Sequence, residues 1–133
     1  MNTDHMIFVF GSNLSGIHGA GAARYAAVHK GANYGQGEGL QGQSYGLPTK
    51  GLHISYMPLE EIHKHVNKFI AFAASHDALS FQVTQVGCGL SGFQPSEIAP
   101  MFEQAAYYGS NCYFDKVWLP WLPRNAQYWG TAV

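Results

Sequence analysis

Charged residues are scarce in this chain of 133 residues: 7 Lys and Arg face 8 Asp and Glu, the formal net charge is −1, and no basic cluster occurs. Duplex nucleic acid is gripped largely by cations on phosphates, so a long nucleic-acid footprint is not expected. Cysteine is scarcer still. Cys88 and Cys112 make no metal-ligand spacing, and the seven histidines supply no H-E-x-x-H pattern; His63 and His65, two apart on an expected helix, point to different faces. Neither a metal site nor a cofactor is expected. No apolar run reaches membrane-spanning length and no signal-peptide pattern is recognised, so the expectation is a cytoplasmic protein with free thiols and no membrane partner. The length suits one domain, residues 1–133, large enough to bury a core.

Glycine breaks this scarcity. Its 16 copies cluster around residues 11–21, 31–46 and 87–92, as happens where backbone approaches something closely. Met6–Phe10 is a continuous apolar run ending at glycine, suited to a strand buried on both faces. Ala20–Lys30 is alanine-rich and stops at Gly31, as a helix does. Gly31–Gln43 reads as a loop, and Ser44–Pro48 as a short strand terminated by proline. Ile62, Val66, Phe69, Ile70 and Ala73 fall at helical spacing; Pro58 is placed to open that helix, and Glu60 and Glu61 favour its positive end. Leu79–Val86 reads as a strand, and the segment beyond Phe93 as a helix running to about Tyr108, with regular hydrogen bonding from about Pro100. Lys116–Pro120 reads as a last strand before an aromatic, turn-rich tail. Alternating strands and helices predict an α/β fold with a largely parallel sheet, whose ligands sit beyond the carboxyl ends of the strands.

Two glycine loops fall at those ends. Gly11–Gly21 follows the first strand and opens the alanine-rich helix; Val86–Phe93 follows another strand and precedes another helix. At such junctions backbone N–H groups converge on an anion, helped by the positive end of the next helix. Two of them would grip one diphosphate from both sides. The ligand-binding candidates are Gly11, Ser12, Asn13, Gly19, Ala20, Gly21 and Ala22 in the first loop, and Gly87, Cys88, Gly89, Leu90, Ser91, Gly92 and Phe93 in the second. Lys50, in the Pro48-Thr49-Lys50 turn, would share their crevice. Asn13 offers an amide suited to ribose hydroxyls, or simply holds a turn. His18 has a claim on catalysis, or else orients its loop. Cys88 is a thiol at a helix entrance, where its pKa can fall, or a small loop-packing residue. Gly37 to Gly42 spells G-x-G-x-x-G, but a strand follows where a dinucleotide site needs a helix.

With these loops in hand the chain resembles a macro domain, the ADP-ribose-binding fold. Val9-Phe10-Gly11-Ser12-Asn13 is similar to the family's first strand, Gly19-Ala20-Gly21-Ala22-Ala23 to its first glycine loop, and Val86 to Phe93 to its diphosphate loop. The likeness is greatest to the terminal ADP-ribose protein glycohydrolase branch, which has similar Gly-Ala-Gly and Gly-Cys-Gly-Leu elements and a Thr-Lys pair matching Thr49-Lys50. The resemblance implies a three-layer α/β/α, macro-like domain with a mixed, largely parallel sheet. It implies binding of ADP-ribose or an ADP-ribosyl group on a macromolecule, with Lys50 as nucleophile at the anomeric carbon, Asn13 at the distal ribose and Phe93 walling it. The branch's assisting aspartate falls on Ser91, and the aspartate that other macro domains carry in the first loop falls on Ala23. The acidic residue that reads adenine has no clear match. Two classes therefore stay open: an ADP-ribosyl hydrolase using Lys50, or a water positioned by Asn13; and a non-catalytic module that reads or sequesters the nucleotide.

Overall fold

The computed structural model describes residues 1–107 and 111–132, the side chain of Tyr107 excepted. The first apolar run forms β1 (Ile7–Asn13), three residues longer than its hydrophobic stretch. The extension exists because Gly11, Ser12 and Asn13 stay in the parallel ladder with β3 (Ser44–Lys50), opposite Leu47, Pro48 and Lys50. Pro48 therefore lies inside a strand that it was expected to end. A short strand, β2 (Gly39–Gln41), pairs antiparallel with β3 only as far as Gly46. Beyond that point β3 has a free edge, where proline is tolerated. β2 itself falls within the stretch expected to be all loop.

Between β1 and β2 the alanine-rich segment forms α1 (Gly21–His29), which packs Ala23 and Ala26 on Phe8 and Phe10. The amphipathic segment forms α2 (Leu59–Ala74), burying Ile62, Val66, Phe69 and Ala73, with Pro58 at its N-cap. Phe69 is fully buried, its ring centroid 5.0 Å from Tyr45 and 5.3 Å from Phe81. Truncating such a ring to alanine costs about 3–5 kcal/mol. β4 (Phe81–Val83) stops well before Val86: the Thr84 N–H (3.3 Å) and hydroxyl (2.6 Å) both meet the Val9 carbonyl, and Val86 N then donates to Thr84 O (2.7 Å) in a tight turn that leaves the ladder. The helical segment that follows starts at α3 (Pro95–Ile98), passes through a 3-10 turn (Ala99–Phe102) and continues as α4 (Glu103–Tyr107). Tyr108, its expected end, lies outside the described residues.

The last strand was expected in the wrong place. Cys112–Asp115 forms β5, and Lys116–Trp121 is a 3-10 helix that buries Trp118, because the Asp115 carboxylate accepts from the Val117 N–H (3.0 Å) and turns the chain. β6 (Gln127–Gly130) then lies in the tail that read as turns. The sheet order is β2-β3-β1-β4-β5-β6, parallel throughout except at β2. Side chains alternate across it. Ile7 and Val9 face the large core built with α2, α3 and α4, and Phe8 and Phe10 face α1, giving a three-layer α/β/α arrangement. Among the described residues no helix is long and apolar enough to cross a membrane.

The segment before β2 is pinned where it meets the strand. Glu38 accepts from His65 Nδ1 (2.5 Å) and Lys68 Nζ (3.0 Å), both on α2. Burial pushes the Glu38 carboxyl up, but these two hydrogen bonds outweigh it and hold the group below the usual carboxylate value. Next to it, Gly37 lies so close to β1 that a Cβ would stand 2.1 Å from the Asn13 carbonyl oxygen.

Candidate functional site

β1 lies between β3 and β4, so the chain leaving the first strand moves to one side while the fourth strand joins on the other. Adjacent parallel strands with diverging connections leave a crevice at their carboxyl ends. A cleft of about 890 Å3 occupies it, lined by the loops after β1, β3 and β4. It brings together twelve of the candidates, namely Gly11, Ser12, Asn13, Gly19, Ala20, Gly21, Ala22, Gly87, Cys88, Gly89, Leu90 and Ser91, and adds Lys50. Gly92, Phe93 and His18 do not line it.

On one side the cleft meets the start of α1. Ala20 holds the extended backbone of an N-cap (φ −153°, ψ 161°), but alanine has no acceptor and the first turn carries no acid. The first-turn N–H groups thus have no intrahelical partner, and they lie at the positive end of the helix. Gly19 to Ala23 all line the cleft.

On the other side the loop after β4 folds back on itself. Gly87 takes φ +77°, where a Cβ would also meet Ile98 Cδ1 at 3.1 Å. Gly87 O accepts from Phe93 N (2.9 Å) and Gly89 O from Gly92 N (3.0 Å), so Gly92 and Phe93 serve the turn. The N–H groups of Gly89, Leu90 and Ser91 have no protein acceptor among the described residues. The expected help from the following helix is absent. Gln94 and Glu97 cap α3 reciprocally, which engages its N-cap and N3 donors and places a carboxylate there.

Lys50 ends β3, half-exposed and without an ion pair among the described residues. Beneath it, Thr49 Oγ1 and Ser91 Oγ stand 2.9 Å apart, and Ser91 Oγ also donates to the Thr49 carbonyl (3.3 Å), which ties the second glycine loop to β3. Asn13 is buried and closes a turn on itself: Nδ2 donates to Ile17 O (2.8 Å) and Oδ1 accepts from Ile17 N (3.0 Å). Its amide keeps one N–H and one lone pair for a ligand. His18 is fully buried between Phe10 (5.3 Å) and Tyr34 (5.6 Å). Its Nε2 lies 3.1 Å from the Gln36 carbonyl and so carries the proton, while Nδ1 has no partner among the described residues. That placement orients the loop and keeps the imidazole out of the cleft. Burial pushes the Cys88 thiol up to about 11, so the group stays protonated at neutral pH and packs the loop.

The far half of the cleft is built by residues that no glycine motif announces. Thr3 and Asp4 before β1, Tyr25 on α1, Thr84 after β4, and Trp129 and Ala132 at β6 are among its lining residues. Trp129 is fixed there by Nε1 donating to Val83 O (3.0 Å), whereas Trp118 belongs to the core. Asp115 organises this end, accepting from Gln85 Nε2 (3.1 Å) and from Ala132 N (3.2 Å). Among the described residues no cluster of three or more His, Cys, Asp or Glu is close enough to hold a metal ion. Compared with known protein families, curated proteins and solved structures, the chain matches none.

Proposed function

We propose that the cleft binds ADP-ribose, or an ADP-ribosyl group on a larger molecule, as the macro-domain resemblance implies. One observation carries the reading: loops after two adjacent parallel strands present unpartnered backbone N–H groups into one cleft, one set from an uncapped helix start. Such groups stabilise a diphosphate. Lys50 and Lys30 add positive charge to the lining, and Asn13, which also lines it, would meet the distal ribose. ADP-ribose should bind more tightly than ADP and raise the melting temperature, since a ligand selective for the folded state stabilises it. Calorimetric titration with no ADP-ribose binding at millimolar concentration overturns the reading.

Hydrolysis is the bolder part. The Lys50 amine, when neutral, would bond to the anomeric carbon as the bond to the leaving group breaks, and water would then release the sugar and restore the amine. The leaving group needs a proton, and among the described residues the one carboxylate in the lining is Asp4. Asp4 precedes β1 while Lys50 pairs with Asn13 at its far end. A seven-residue strand separates them, about 20 Å at the usual rise per residue. That separation favours slow turnover, confined to labile linkages such as esters, or a non-catalytic reader. Release of labelled ADP-ribose by wild type and Lys50→Ala at equal occupancy decides: loss in the variant supports the lysine, equal rates point to water, and no release leaves the reader.

A further inference from the structure

An apolar rim surrounds the Lys50 end of the cleft. Leu14, Ile17, Leu52, Ile54, Tyr56 and Leu90 are all exposed, and Ile17, Ile54 and Leu90 line the cleft itself, at 41%, 45% and 72% exposure. They come from three segments joined to one another. His53 N donates to Ser15 Oγ (2.9 Å), the Tyr56 and Phe93 rings stand 6.1 Å apart, and Leu90 Cδ1 lies 3.4 Å from where a Cβ of Gly21 would be. Residues 14–19, 51–57 and 88–93 contain no Asp, Glu, Lys or Arg.

The rim is held at a conformational cost. Among the described residues, His53 and Ile54 are the two non-glycine residues with positive φ, at 55° and 59°. A β-branched side chain there is strained, and such strain gathers where a ligand site requires it. Gly51 N donating to Ser55 O (2.8 Å) closes the turn that keeps Ile54 in the lining. The lining also runs the whole length of β1, from Asp4 before it to Lys50 and Ile54 past its end. At about 890 Å3 the cleft is near the top of the roughly 300–1,000 Å3 range of small-molecule sites.

We infer that this rim takes a planar, uncharged ring carried on the distal ribose, so that the ligand is a free dinucleotide-class molecule with a base at each end. The inference rests on the ADP-ribose reading and narrows its ligand. A ribose already held by the diphosphate carries such a ring to the rim without a second docking event. An aromatic ring gains from contact with Ile17, Ile54 and Leu90, whereas a basic peptide side chain would meet Lys50, of its own sign, and no carboxylate in these segments. A nucleic-acid strand would find Lys50 as its one cation among these segments and the turn before them.

The test is calorimetric titration of the full chain with ADP-ribose, with NADH, whose ring is uncharged, with NAD+, whose ring is cationic, and with an ADP-ribosylated peptide. NADH should bind at least tenfold more tightly than ADP-ribose, and NAD+ less tightly than NADH beside Lys50. Ile54→Gly should cut the preference for NADH over ADP-ribose from at least tenfold to below threefold and melt no lower than wild type, since glycine accepts the positive φ without strain. NADH binding no better than ADP-ribose, or an unchanged preference in Ile54→Gly, overturns the inference and leaves the ADP-ribose reading standing. Tighter binding of the peptide also overturns it and gives the rim to a protein. Failure of all four ligands overturns the parent reading instead.

Discussion

The two glycine loops reach one cleft by different physics. The loop at residues 19–23 draws its donors from the first turn of α1, where Ala20 leaves the cap position without an acceptor. The loop at residues 87–92 draws on turn amides alone, because α3 behind it is capped by Gln94 and Glu97. One side is therefore a helix end without a side-chain cap, and the other a turn held at Gly87 and Gly92 in backbone that favours glycine. A Gly-rich stretch before a helix is not by itself a dipole-assisted site; the cap residue decides.

The harshest way to break the comparison is to fill both loops with negative charge. Gly19 and Gly89 have no atom within 4 Å of a built Cβ, so Gly19→Glu and Gly89→Glu should fold normally. Gly21 is a poorer choice, since its φ is +58° and Leu90 lies 3.4 Å from a built Cβ. Each carboxylate would repel a diphosphate at close range, so ADP-ribose affinity should fall by roughly two orders of magnitude or more. Calorimetry beside thermal melting checks this. A loss confined to Gly89→Glu would show that the α1 end is not used.

A gentler change separates the loops. Ala20→Ser supplies the missing cap and should stabilise the free protein by up to about 1 kcal/mol. The same hydroxyl occupies an N–H that the anion would otherwise take, so ADP-ribose affinity should drop severalfold while the melting temperature of the free protein rises. Equal or better binding in this variant would mean that α1 contributes no donor to the ligand.

The smallest effect concerns the support behind the first loop. The Glu38 carboxyl is held below its ordinary value of 4.5, so its contribution to stability is present above that value and is lost as pH falls through the lower folded-state one. Glu38→Gln should remove that contribution. The pair is partly exposed, so the expected difference is below about 1 kcal/mol at neutral pH and vanishes in acid. Urea titrations of both proteins across that range measure it, and a difference that grew on acidification would reverse the assigned sign.

How much of this was legible in the residues depended on whether the signal was local. β1 and α2 follow from an unbroken apolar run and from a helical spacing, and the glycine loops follow from glycine gathered at strand ends. The 3-10 helix at Lys116–Trp121 was misread because Val117, Trp118 and Leu119 are as apolar as a strand, and the Asp115 carboxylate that turns the chain has no such pattern. Pro48 was misread because tolerance of proline depends on where β2 stops pairing, a fact about another segment. The Asp4 and Trp129 half of the cleft lies at the two ends of the numbering and joins only through the sheet.

The close approach of Gly37 to the Asn13 carbonyl has a consequence for any library of variants of this protein. Position 37 does not line the cleft, yet no side chain fits there without displacing the strand end that carries Asn13. A selection for ligand binding would return glycine at 37 as strictly as at a contact position. Tolerance profiles would then mark as ligand-touching a residue whose task is to let two backbones meet.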